Sequence, residues 1–382
     1  MSFVVAAFIV GFSCAAITAK ILLGYNNFSL WLKIPAVMLV FAAWFTPVIL
    51  GLVRRGRLIE NPDVYAVFSN LMYYLFGLAF IIFSLLMLRD VIWFAAHGIA
   101  RLSGHTPEYL DPKNPHSLAL SNMVVLGLSL LISFYGVWQA VKLPKITELS
   151  LSSPKISQPA KIVFLSDLHI NRTTSQERLR EIIDKVNGLK PDAVVLVGDI
   201  IDDRMINIES QVNLLKKIKA PEGVYSVLGN HELYSGIPAW FMKFDKLGLN
   251  PLINKGKRLD KHNIFISGIP DAGIAMFSEF FKFNFKAAQK GAEKDDYKIL
   301  LSHSPKIDLQ DHKFDLQLSG HTHGGQIFPF HFLVKHSNKY LAGHYKKDDM
   351  DIYVSRGAGY WGPAMRILAP AEITLIKLNP EK

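Results

Sequence analysis

Hydrophobic and polar positions follow two different patterns along this chain. Up to about residue 144 the apolar residues form long blocks, Phe3 to Leu23, Ile34 to Val53, Val64 to Leu88 and Leu118 to Val141. Each block is about 20 residues, the length at which a helix crosses the hydrocarbon core of a bilayer. Residues 1–146 therefore read as a membrane region with four transmembrane helices. From about residue 147 to 382 the apolar runs shorten to four to six residues and alternate with amphipathic stretches, which predicts one α/β domain. Ser175 to Leu189 places Leu179, Ile182, Ile183 and Val186 on one helix face and is stopped by Pro191; a second helix is expected over Asn207 to Ile218. Asp351 to Ser355 and Ile373 to Leu378 read as short strands paired near one another. Polar Lys145 to Gln158 reads as a linker, and Ser103 to Ser117, with its prolines, as an irregular loop.

The short apolar runs end in the same kind of residue. Ala193-Val-Val-Leu-Val197 stops at Gly198-Asp199, and Ile162-Val-Phe-Leu165 runs into Asp167 and His169. Val224 to Leu228 runs into Gly229-Asn230-His231-Glu232, Ile299 to Leu301 into His303, and Leu316 to Leu318 into Gly320-His321-Thr322-His323. In open α/β sheets ligands bind at the carboxyl ends of the strands, so these side chains are expected to converge. Carboxylate, imidazole and amide ligands of this mixture suit divalent metals, and a pair of ions needs one bridging carboxylate. Asp199, the only strong ligand in its own stretch, is the expected bridge.

Composition narrows the picture further. The net charge is +10 and the pI near 9.4, yet no Lys/Arg block or aromatic RNA-binding motif supports nucleic acid as a partner. Basic loops beside anionic lipid head groups, or an acidic phosphorylated substrate, account for the charge. Cys14 is the only cysteine, which excludes a disulfide framework and a sulfur-ligated metal. The first apolar block lacks a basic leader and reads as a retained helix rather than a signal peptide. Arg54-Arg-Gly-Arg57 favours a cytoplasmic loop, which puts both the N-terminus and the C-terminal domain in the cytoplasm. Arg89, Arg101, Lys113, Lys20 and Lys33 count against that orientation.

Taken together in order and spacing, Asp167-x-His169, Gly198-Asp199-x-x-Asp202, Gly229-Asn230-His231-Glu232, His303 and Gly320-His321-x-His323 resemble the five blocks of the calcineurin-like metallophosphoesterases. The resemblance covers about residues 160–330, and Val354 to Leu378 is similar to the closing segment of small bacterial members with membrane anchors. It implies two packed β-sheets flanked by helices, and two divalent ions, with manganese, iron or zinc the best match to the ligands. Asp167, His169, Asp199 and His323 then resemble the ligands of one ion, and Asp199, Asn230, His303 and His321 those of the other. A hydroxide bridging the ions would attack phosphorus. His231 resembles the histidine that stabilises the developing charge or protonates the leaving group, with Asp202 behind it; capping the following turn is the alternative role for Asp202. Glu232 replaces the more frequent Asp, and Asp203 stands where protein phosphatases carry Arg, so a phosphoprotein substrate is disfavoured.

Met276 to Phe285 carries five phenylalanines. It is either a core segment or a hydrophobic flap with Phe280 and Phe281 at the site rim, holding acyl chains or entering the bilayer interface. Trp361 is a candidate aromatic wall and Arg366 a candidate phosphate contact. His262, His312, His331, His336 and His344 are expected at the surface. The expected function is a membrane-anchored phosphohydrolase acting on a phosphoester or phosphoanhydride of a lipid-linked or membrane-proximal substrate. A UDP-diacylglucosamine-type pyrophosphatase and a non-catalytic metal- and phosphate-binding membrane sensor are the alternatives. Oligomeric state leaves no trace in the sequence.

Overall fold

The computed structural model describes residues 3–23, 29–56, 58–111, 114–275, 281–309 and 311–381. The chain divides into two compact units, Met1–Trp138 with Gly362–Met365, and Gln139–Trp361 with Arg366–Lys382.

The first unit is helical. Its elements are α1 (Phe3–Leu23), α2 (Leu30–Trp44), α3 (Thr46–Gly56), α4 (Pro62–Leu102) and α5 (Pro115–Val141). Among the described residues α4 and α5 are long and apolar enough to cross a membrane; α2 and α3, bent by 75°, would make a third span if counted as one. The single block expected over residues 34–53 is thus broken at Phe45. Pro47 lacks the N–H that would continue the ladder across the break, and Thr46 Oγ1 turns away to the Met72 carbonyl, 3.0 Å distant. The block expected over 64–88 is instead the 41-residue α4, about 60 Å at 1.5 Å per residue. Asn61 starts it by accepting from the N–H groups of Asp63 and Val64. The charges that end the apolar pattern do not end the helix, because Arg89 pairs with Asp90 (Nε to Oδ1, 2.8 Å) and reaches Ser121 at 3.1 Å.

The second unit is a sandwich of two mixed sheets. The strands are β1 (Lys145–Ser153), β2 (Ala160–Leu165), β3 (Ala193–Val197), β4 (Val224–Val227), β5 (Lys255–Leu259), β6 (Ile264–Gly268), β7 (Tyr297–Leu301), β8 (Leu316–Ser319), β9 (Gly343–Lys347), β10 (Met350–Val354) and β11 (Glu372–Pro380). One sheet has the order β1-β11-β2-β3-β4 and the other β5-β6-β7-β8-β10-β9. Alternation at period two makes both faces of the central strands apolar. In β2, Ile162 and Phe164 point between the sheets toward Ile299, Leu301 and Leu316, while Val163 and Leu165 point outward. The outer face is covered by α6 (Gln176–Gly188), which Ser175 caps by accepting the Arg178 N–H, and by α7 (Met205–Val212), α8 (Asn230–Ser235) and α9 (Ile237–Lys246). The Leu179, Ile182, Ile183 and Val186 stripe is buried as the spacing requires.

Two local expectations fail for a shared reason. The polar stretch from Lys145 opens as strand β1, paired in parallel with β11 along its whole length from Lys145↔Glu372 to Ser153↔Pro380. An edge strand keeps one face in solvent and so reads as polar, and its partner lies at the far end of the chain. For the same reason the two C-terminal strands are not neighbours: β10 pairs with β8 and β9, whereas β11 pairs with β1 and β2 in the other sheet. His262 is also no surface residue. It is fully buried, with Nε2 2.9 Å from Glu222 Oε1 and Nδ1 3.1 Å from the Gln158 carbonyl oxygen.

Candidate metal centre

Strands β2, β3 and β4 run parallel in one sheet, and β6, β7 and β8 run parallel in the other. Their carboxyl ends deliver Asp167 and His169, Asp199 and Asp202, Asn230 and His231, His303, and His321 with His323 to a single place. Three overlapping sets of ligand atoms lie within 4.8 Å of one another: Asp167, His169 and His323; His169, Asp199 and His231; Asp199, His303 and His321. Asp199 Oδ2 stands between the groups, 3.1 Å from His303 Nε2 and 3.7 Å from His169 Nε2. His169 Nε2 and His323 Nε2 approach to 3.0 Å, and Asn230 Oδ1 lies 3.0 Å from His321 Nδ1. Asn230 therefore faces the cluster rather than capping the helix it begins.

This convergence strains the backbone. Asp167, His169, Asp199, His321 and His323 all adopt left-handed conformations, with φ between 46° and 70°. Such conformations cost about 1–3 kcal/mol each and persist only where the surroundings impose them. Glycines before the ligands let the loops meet. A Cβ at Gly229 would lie 2.2 Å from Asp199 Oδ1, and one at Gly320 2.3 Å from Asp167 Oδ2. Backbone amides hold the carboxylates from behind: Asp199 Oδ1 accepts the His231 N–H at 2.9 Å, and Asp167 Oδ1 accepts the His321 N–H at 3.0 Å.

The donor set fits divalent cations. His303 Nδ1 lies 3.0 Å from the Val197 carbonyl oxygen, which places a proton on Nδ1 and turns Nε2 to the cluster; burial opposes the charged ring there, but Asp199 raises its pKa well above the ordinary value. That Nε2 meets Asp199 Oδ2 at 3.1 Å, and His169 Nδ1 is buried without a hydrogen-bond partner. Burial lowers the pKa values of both His321 and His323, helped by His303 at His321 and by His169 and Arg366 at His323, and keeps them neutral, the form that binds metal. Burial alone would raise Asp199, but His303, His231 and His169 outweigh it and hold the carboxyl well below its ordinary range. Beside this group, His231 Nδ1 lies 2.8 Å from Asp202 Oδ1. Burial opposes the charged imidazolium, yet Asp199 first and Asp202 next raise His231 to about 9. Asp202, pressed upward by burial, is brought to about 2 by its contacts with His169 and His231. It holds a ring and does not cap the turn.

Trp361 stands at the rim, 48% exposed, its ring 6.1 Å from that of His231. Tyr234 flanks the same imidazole at 5.5 Å. Arg366 is not a phosphate contact. It is buried to 1% exposure, and its five N–H groups meet the carbonyls of Gly359, Ala369, His323, Arg356 and Gly357. It sets the loop under His323 instead. Phe281 packs partly buried against the core and Phe285 is buried, while Met276 to Phe280, with Phe280, lie outside the described residues.

Glu232, legible in the sequence only as a replacement for the more frequent Asp, has a role the sequence did not reveal. Its carboxylate is fully buried and takes four backbone N–H groups: Ile200 (2.8 Å) and Ile201 (3.0 Å) at Oε1, Asp199 (3.0 Å) and Gly229 (2.7 Å) at Oε2. It ties the Asp199 loop to the Asn230 loop. The available signal was an acidic residue directly after the ligand stretch, where an exposed helix start would look the same.

Comparison with known proteins agrees with this geometry. Residues 160–325 match the family model of calcineurin-like phosphoesterases. An uncharacterized metallophosphoesterase of Campylobacter jejuni is 35% identical over 68% of this chain and 69% of its own length. One from Helicobacter pylori is 35% identical over 72% and 75%. A transmembrane protein with a metallophosphoesterase domain from Bos taurus is 30% identical over 92% of this chain and 81% of its own, so that likeness includes the helical region. With these sequence matches and a ligand cluster at the carboxyl ends of two packed sheets, the chain belongs to the calcineurin-like metallophosphoesterases, metal-dependent hydrolases of phosphoester bonds.

Proposed function

We propose that this protein is a multi-pass membrane-anchored phosphohydrolase with a dinuclear centre, acting on a phosphoester or phosphoanhydride of a lipid-linked or membrane-proximal substrate from the cytoplasmic side. The observation that carries it is Asp199, whose carboxylate belongs to two of the overlapping ligand sets at once. Asp167, His169, Asp199 and His323 would hold one ion, and Asp199, Asn230, His303 and His321 the other. Ions of manganese, iron or zinc type, when bound there, would supply Lewis-acid polarisation of the phosphoryl oxygens and an activated water. The chain's own residues do the rest. Asp202 fixes the His231 ring through Nδ1, which leaves Nε2, 4.0 Å from Asp199 Oδ2, to give a proton to the leaving oxygen. Trp361 and Tyr234 wall the imidazole. A lipid-linked substrate is supported by the apolar helices and by relatives named as transmembrane proteins.

The test uses the full chain in nanodiscs, metal-stripped and reloaded with manganese, iron or zinc. A phosphomonoester, a phosphodiester and a nucleotide-linked lipid pyrophosphate are offered in turn. Turnover that requires two ions per chain and is abolished by Asp199→Asn supports the hydrolase. Two bound ions with no turnover on any substrate would favour the sensor instead.

A further inference from the structure

Among the described residues an exposed aromatic patch follows the last ligand stretch. Immediately after His323, Phe328, Phe330, Phe332 and Leu333 leave 43%, 40%, 64% and 63% of their surface uncovered. Helix His331–Asn338 buries none of its residues. The rings group together, with Phe328 4.7 Å from His331 and 6.0 Å from Phe332, and His331 4.0 Å from Phe332. Leu368, 74% exposed, and Trp361 extend the patch. They are held to it by the Ile327↔Ile367 bridge and by Gln326, which accepts the Trp361 N–H at 3.0 Å and donates to its carbonyl at 2.7 Å. Contiguous apolar surface of this kind on a folded domain marks an interaction face.

Charge selects the partner. From Leu316 to Lys347 the chain has no acidic residue and four lysines, with Lys335 on the helix and Lys339 directly after it. Aromatic and aliphatic side chains beside lysines are the composition of segments that lie in the interface of an anionic bilayer. This chain carries its own apolar spans, so a bilayer is always at hand. We propose that Phe328, Phe330, Phe332, Leu333, Trp361 and Leu368 form a membrane-docking face that enters the headgroup layer of an anionic bilayer. Trp361 belongs both to this face and to the wall of His231, so docking sets the mouth of the site at headgroup depth. That catalytic consequence rests on the phosphohydrolase proposed above; the docking does not.

Cys14 is the only cysteine, so a full chain with Cys14→Ser and Leu333→Cys takes one nitroxide label. In vesicles of phosphatidylcholine with phosphatidylglycerol the label is expected to be more accessible to oxygen than to a water-soluble nickel chelate, and less so without the anionic lipid. Free access of the chelate overturns the docking. Shielding from both reagents means that protein, such as a second copy of the chain, covers the face, and also overturns it. As a second readout, Phe332→Ser with Leu333→Ser should leave turnover of a water-soluble phosphomonoester unchanged and reduce turnover of a bilayer-embedded phosphoester about tenfold. Equal loss or no loss on both substrates counts against docking. A parent chain that hydrolyses neither refutes the hydrolase and leaves the label result to decide the docking.

Discussion

Replacing Glu232 by Gln removes one carboxylate oxygen from the pair that ties the two ligand loops together. Each oxygen accepts two backbone N–H groups. Whichever way the amide turns, its NH2 faces two N–H donors that then have no acceptor. A buried N–H without a partner costs about 1–3 kcal/mol, so the two together cost about 2–6 kcal/mol. Burial, and then the Asp199 carboxylate, push the Glu232 pKa up to about 8, against the pull of the Ile201 and Gly229 amides. The bonding pattern is nonetheless that of the carboxylate, because a carboxylic acid would turn its O–H against one of four N–H groups.

Hydrogen exchange of the full chain reads this locally. The amides of Asp199, Ile200, Ile201 and Gly229 should exchange about 30-fold faster or more in Glu232→Gln, since each 1.4 kcal/mol is about a factor of ten. Amides in α6, which does not touch Glu232, should be unchanged. Exchange within about threefold of the parent at those four amides would mean that Gln is close to isosteric with a protonated Glu232. The reasoning from four N–H donors would then be refuted.

Asp202→Asn keeps the shape beside His231 but removes the charge that orients it, and should lower kcat by about 10²-fold with the bound-metal content unchanged by elemental analysis. Gly229→Ala forces a methyl to within 2.2 Å of Asp199 Oδ1; the variant is expected to lose metal and activity together, read by metal content and turnover on one preparation. Arg366→Met strips donors from the carbonyls of five residues under His323 and, at about 1–3 kcal/mol for each buried carbonyl left unsatisfied, should destabilise the second unit by about 3 kcal/mol or more. Chemical denaturation followed by near-ultraviolet circular dichroism measures it, and a cost below about 1 kcal/mol would restore a substrate-facing role for Arg366.

The sequence by itself determined the elements whose signal is local. Helical blocks, the Leu179–Val186 stripe and apolar strands ending in ligand residues show in spacing alone, because burial on one face imposes the period of the element. It also determined the ligand types, since Asp, His and Asn at strand ends fall at one sheet edge whatever the details. Only the tertiary structure decided what depends on distant partners. It paired polar β1 with β11, sent β10 and β11 to different sheets, broke one apolar block at Phe45 and carried α4 past its charged residues. It buried Arg366 among carbonyls and Glu232 among amides, and it left Phe332 and Leu333 exposed while Phe285 packed inside. A charged side chain reads the same in sequence whether it meets solvent, a substrate or four backbone donors. Only the atoms that fold around it settle which.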